Sequence, residues 1–61
     1  MGKAFELDVY EVVHADVDWV VVRRADGKTA RAPAGWLAVK GGKAQAVSQT
    51  KQVRIDGLDW E

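Results

Sequence analysis

Cysteine is absent from this chain, and histidine, serine, proline, methionine, phenylalanine and tyrosine occur once each. Without cysteine there is no disulfide and no thiolate metal site, so a disulfide-stapled secreted miniprotein is excluded. With one histidine, a nucleophilic Ser/His/Asp arrangement has to pair His14 with Ser48, and nothing in the spacing brings them together. A zinc site built on His14 and carboxylates is a poor ligand set, so no metal and no cofactor are expected. Long apolar runs are also missing. None approaches the roughly 20 residues of a membrane span, and Glu6 and Asp8 interrupt any apolar core after Met1. The expectation is a soluble cytoplasmic protein with no membrane partner.

Length adds a further limit. Sixty-one residues make one domain, taken as residues 1–61, and a chain of this size buries only about 60% of its unfolded surface. Stability then depends on an aromatic core, for which Trp19, Trp36 and Trp60 are available, or on self-association. A domain this small rarely encloses the few hundred Å³ that substrate sites use, so no small-molecule substrate is expected.

What the chain does have is a regular series of turn signals. They fall at His14-Ala15-Asp16, Asp26-Gly27, Pro33-Ala34-Gly35, Gly41-Gly42, Ser48-Gln49-Thr50 and Asp56-Gly57. The runs between them are short and rich in β-branched residues, which predicts strands. Phe5, Leu7 and Val9 alternate with polar neighbours. Glu11-Val12-Val13 breaks that phase, as a bulge does. Val17 to Arg24 is the strongest strand, and Val20-Val21-Val22 places it centrally.

Asp26-Gly27 predicts a two-residue type I′ hairpin, with Arg24 facing Thr29 and Val22 facing Arg31. A tight loop at Ala15 sets Glu6 opposite Arg24 and Asp8 opposite Val22. Pro33 ends the third strand. Ala34 to Leu37 is either one helical turn or the start of a fourth strand. Gly41-Gly42 turns the chain into Lys43–Val47, and Val53 and Ile55 form a last strand, a helix over Ala44–Ile55 being the alternative. Leu58 and Trp60 then cover one end of the core. The fold expected is all-β: a small barrel or a five- to six-stranded antiparallel meander with at most one short helical turn. Its core is Phe5, Leu7, Val9, Val20, Val22, Leu37, Val47, Val53 and Ile55.

The formal charge is zero but unevenly spread. Residues 1–18 carry five acidic side chains against Lys3, and residues 55–61 carry three. Residues 19–54 carry eight basic side chains against Asp26. Acidic and basic strands lying side by side explain this without a ligand. The other explanation is a basic face made of Arg23, Arg24, Lys28, Arg31, Lys40, Lys43, Lys51 and Arg54, with Tyr10 or an exposed tryptophan stacking on bases. The carboxylate pairs Asp16/Asp18 and Glu6/Asp8 read as turn acceptors and a solvated strand face. Gly41-Gly42-Lys43 lacks the upstream glycine and the following Ser/Thr of a phosphate loop.

The stretch from Asp18 to Leu37 resembles the second half of an SH3 domain. An aromatic opens one strand, basic residues close it, a tight hairpin follows, and Pro33-Ala34-Gly35-Trp36-Leu37 stands where that family has a proline and an aromatic three residues on. The resemblance implies that Trp19, Pro33 and Trp36 line a groove for an extended, proline-containing peptide. From composition alone the tryptophans belong either to the core or to an interface, and Trp60, beside the last residue, is the one most open to exposure. The function expected is a non-enzymatic protein-interaction domain, accessory or self-associating, with Trp19, Pro33, Trp36 and Trp60 as anchors. The alternative is a small-barrel nucleic-acid-binding protein.

Overall fold

A computed structural model describes residues 7–61. The elements are β1 (Val9–Ala15), β2 (Trp19–Arg23), β3 (Thr29–Pro33), a 3-10 turn (Ala34–Trp36), β4 (Leu37–Lys40), β5 (Lys43–Ala46) and α1 (Gln49–Asp56). The strands form one five-stranded sheet in the order β3-β2-β1-β5-β4, with every pair antiparallel. The first three strands are a meander. The β4–β5 hairpin then returns so that β5 pairs with β1, leaving β3 and β4 at the edges. The expected antiparallel sheet is present, and its shape is compatible with a small barrel. Among the described residues no helix is long and apolar enough to cross a membrane.

Register follows the turn chemistry. Val12 pairs with Val22 and His14 with Val21, so Val13 is the extra residue of a bulge at the expected phase break. Val12, not the expected Asp8, lies opposite Val22; Glu6, expected opposite Arg24, lies outside the described residues. Gly41 and Gly42 have φ of 59° and 80°, and Lys40 faces Lys43 across them. Both central residues at positive φ make the type I′ turn that joins tightly twisted strands.

The Asp26-Gly27 hairpin forms differently from the expected type I′ turn. No residue other than glycine has positive φ among those described, so Asp26 does not take that conformation. Gly27 N–H donates to Arg24 C=O at 3.0 Å and Arg24 N–H to Lys28 C=O at 2.8 Å, a three-residue loop with Gly27 at φ 90°. The Asp26 carboxylate accepts from Lys28 N–H, which favours this loop because it satisfies the turn locally. The ladder therefore shifts: Arg23 faces Thr29, Val22 faces Ala30 and Val21 faces Arg31.

The expected last strand through Val53 and Ile55 is a helix instead. Ser48 Oγ accepts from Lys51 N–H at 3.3 Å, which caps the N-terminus. Gly57 ends the helix, its N–H donating to Arg54 C=O. Only Gln52 and Ile55 of α1 are buried. One inward position is polar, so the apolar residues alone show no helical period.

The core is Tyr10, Val20, Val22, Ala32, Leu37, Ala44, Ala46 and Ile55, with Leu7, Val12, Trp36, Leu58 and Trp60 packed against it. Val20, Val22, Leu37 and Ile55 are where they were expected, and Leu7 is half-buried. Val9, Val47 and Val53 are instead exposed, and Phe5 lies outside the described residues. The reason in β1 is its phase: Tyr10 points inward, so Val9 points out. In β3 and β5 alanines line the interior, which leaves room for the Tyr10 ring.

Candidate interaction surface

Alternation along β2 and β3 sorts their side chains onto two faces. Val20, Val22, Ala30 and Ala32 are buried, while Trp19, Val21, Arg23, Thr29, Arg31 and Pro33 point outward. Trp19 lies directly opposite Pro33. Its side of the hairpin is fixed at both ends: Asp16 N–H donates to Trp19 C=O at 2.7 Å and Ala34 N–H to Asp18 C=O at 2.9 Å. Trp19 is 45% exposed, so it is a surface aromatic and not a core one. The Arg31 guanidinium sits 5.0 Å from its centroid. Such a stack orders a long side chain for about 0.5–1 kcal/mol at an exposed site. Val17, next to this patch in sequence, is 88% exposed.

The other two tryptophans are half-buried. Trp36 ends the 3-10 turn against the core, with the Lys51 ammonium 5.5 Å from its ring. Trp60, the residue expected to be most open, stacks on Tyr10 at 5.5 Å and donates from Nε1 to Ile55 C=O at 2.9 Å. Arg24 lies 4.5 Å over its outer face. Trp60 closes the end of the core because its indole N–H finds a partner there.

The basic side chains are divided among three places. Arg23, Arg31, Lys40 and Lys43 share the outer face of the sheet, with Glu11 between Arg23 and Lys43. Arg23 donates from Nε at 2.9 Å and Nη2 at 2.6 Å to the same Glu11 oxygen. These bonds, then the Arg23 charge, hold the Glu11 carboxyl below its ordinary pKa. This pair is the charge compensation expected between acidic and basic strands. Arg24 pairs with Asp26 at 3.0 Å. Lys28 is in the hairpin loop, and Lys51 and Arg54 are on α1.

Sequence reasoning missed a polar cluster under α1. Gln52 Nε2 donates to the Tyr10 hydroxyl at 2.7 Å and to Asp56 Oδ1 at 2.9 Å, with Asp8 Oδ2 farther away at 3.4 Å. Asp8 N–H donates back to Gln52 Oε1 at 3.1 Å. Burial raises the Tyr10 pKa, the Gln52 hydrogen bond opposes it, and the Asp56 and Asp8 charges add to the rise. The one legible signal was Gln52 three residues before Ile55. Beside the cluster a cavity of about 320 Å³ is lined by Asp8, Val9, Tyr10, Arg24, Ala25 and Asp26. Ser48 caps α1, and His14 is exposed on β1. Among the described residues no group of three His, Asp or Glu could hold a metal ion.

No protein-family model matches the chain, and no curated protein or solved structure shows significant similarity to it.

Proposed function

We propose that this chain is a non-enzymatic interaction domain of the cytoplasm, accessory to a larger protein or self-associating, that binds protein through the outer face of β2 and β3. The observation that carries the reading is the exposed Trp19 ring set opposite Pro33 with Arg31 stacked on it. Aromatic and arginine side chains are the usual anchors of interfaces, and a stacked arginine has already lost much of the rotamer freedom that binding removes. The five-stranded antiparallel sheet and this pairing support an SH3-like small barrel. Trp36 follows Pro33 through the 3-10 turn, in the order that likeness requires. An extended, proline-containing segment is the ligand that fits it.

One observation favours nucleic acid as a second reading. Lys40 and Lys43 face each other directly, and Arg23 and Arg31 share their face. Like charges set opposite each other are unfavourable unless an anion lies between them. Binding of that kind weakens steeply with salt.

An NMR titration separates the two. A proline-rich peptide that shifts the Trp19 indole and Arg31 amide, with little dependence on salt, supports the first reading. Shifts on Lys40, Lys43 and Arg23 that appear with a mixed-sequence DNA and vanish in moderate salt replace it with the second. Sedimentation of the wild type and Trp19→Ala tests self-association through the same face.

A further inference from the structure

Among the described residues, the outer edge of β3 is open in the middle and occupied at one end. Lys28 C=O and Ala34 N–H both bond toward β2, so the ladder turns the backbone groups of residues 28, 30, 32 and 34 inward. Those of Thr29, Arg31 and Pro33 therefore face away from the sheet. Thr29 and Glu61 exchange both backbone bonds, each at 2.9 Å, which is one rung of an antiparallel pair. The next rung is missing. Continuing that register places Asp59 opposite Arg31. The tail instead turns away, with Trp60 N–H donating to Leu58 C=O at 2.9 Å and Leu58 N–H to Ile55 C=O at 3.1 Å. A cavity of about 440 Å³ lies there, lined by Thr29, Ala30, Arg31, Leu58, Asp59 and Glu61 with Val21.

We infer that the edge of β3 accepts an extended acidic peptide segment as an added antiparallel strand, with an acidic residue opposite Arg31. An edge with free N–H and C=O groups is a template for such addition. The chain's own Glu61 shows that Thr29 exchanges both backbone bonds with an added residue in this geometry. Arg31 supplies both the free backbone rung and the complementary charge, while Pro33, lacking an N–H, limits how far the new strand extends. The segment takes over the Glu61 rung, adds the Arg31 rung and lies beside Trp19. The inference rests on the reading of β2 and β3 as the binding side and specifies how the partner is held.

The test uses the full chain and two capped pentapeptides, Val-Glu-Val-Glu-Val and Val-Lys-Val-Lys-Val. The readouts are hydrogen exchange of the Arg31 amide and the shift of the Trp19 indole. With the acidic peptide at about ten times its Kd, Arg31 exchange slows about tenfold. The basic peptide has no such effect, and Arg31→Glu weakens acidic-peptide binding about fivefold. Arg31 protection with an unmoved Trp19 keeps the edge and overturns the exposed face as the binding surface. A shifted Trp19 with unchanged Arg31 exchange keeps the face and overturns strand addition. Equal protection by both peptides, or by neither, also overturns it.

Discussion

Gln52 on α1 donates to the hydroxyl of Tyr10 on β1 at 2.7 Å, the one polar bond that joins helix and sheet inside the core among the described residues. Gln52→Leu removes the partner of the Tyr10 hydroxyl and of the Asp8 amide together. A buried group left without a partner costs about 1–3 kcal/mol, so this variant loses about 2–3 kcal/mol. Tyr10→Phe leaves Gln52 with Asp56 and costs about 1 kcal/mol. Urea unfolding of both measures the difference. A Gln52→Leu loss below about 0.5 kcal/mol, the scale of an ordinary surface substitution, makes the cluster irrelevant to stability.

Tyr10 also sets an alkaline limit. Its pKa lies above the ordinary 10.0 because burial disfavours the phenolate. A group whose folded pKa is raised contributes stability that is complete below the unfolded pKa and is lost as pH rises through the folded one. Stability is therefore level up to about pH 10 and falls above it, and Tyr10→Phe flattens that fall. Glu11 acts in the opposite window. Its pKa is lowered by Arg23, so its small contribution is present above the ordinary carboxylate range and is lost as pH falls. Unfolding midpoints across the two ranges, for wild type and Tyr10→Phe, check both directions.

The sheet was legible in the sequence where a turn residue has a single conformational use. Gly41-Gly42 and the terminating Pro33 placed β3, β4 and β5, and the phase break at Val12-Val13 placed the bulge. Asp26-Gly27 marked a hairpin but not its register, because Gly27 alone carries the positive φ. Helix α1 was hidden by its own packing. Its inward pair is Gln52 and Ile55, and a glutamine is counted as solvent-facing until Tyr10 and Asp8 are known to lie beneath it. The alanines of β3 and β5 were not recognised as core, since small side chains become interior only against a large neighbour such as Tyr10. Of the surface residues, Trp19 and Pro33 were brought together by one register, while Trp60 was drawn inward by a carbonyl that only the helix supplies.

Glycine at two turn positions gives an internal control. Gly42 has φ 80° and Gly35 does not have positive φ, and an added Cβ meets nothing within 4 Å at either. Space is equal, so only backbone strain differs. Gly42→Ala costs about 1–2 kcal/mol. Gly35→Ala changes stability by less than about 1 kcal/mol, in the stabilising direction, because it restricts the unfolded chain. Thermal unfolding of the two variants decides it. Equal losses at both positions remove the strain argument for the β4–β5 turn.

Trp19 and Val22 lie on the same strand with opposite duties. Val22 is 0% exposed, and Val22→Ala costs about 2–3 kcal/mol in lost burial and cavity. In a domain with a small total margin, that loss populates the unfolded state. Trp19→Ala removes an exposed ring and its Arg31 stack, costing less than about 1 kcal/mol. The interaction reading therefore expects Trp19→Ala to stay folded, with wild-type-like dispersion in its amide spectrum, while losing partner binding. Val22→Ala loses binding only in proportion to its loss of fold. Measuring stability and peptide affinity on both variants separates the two duties. A Trp19→Ala variant that unfolds as readily as Val22→Ala makes Trp19 a packing residue, and the outer face of β2 and β3 then has no anchor.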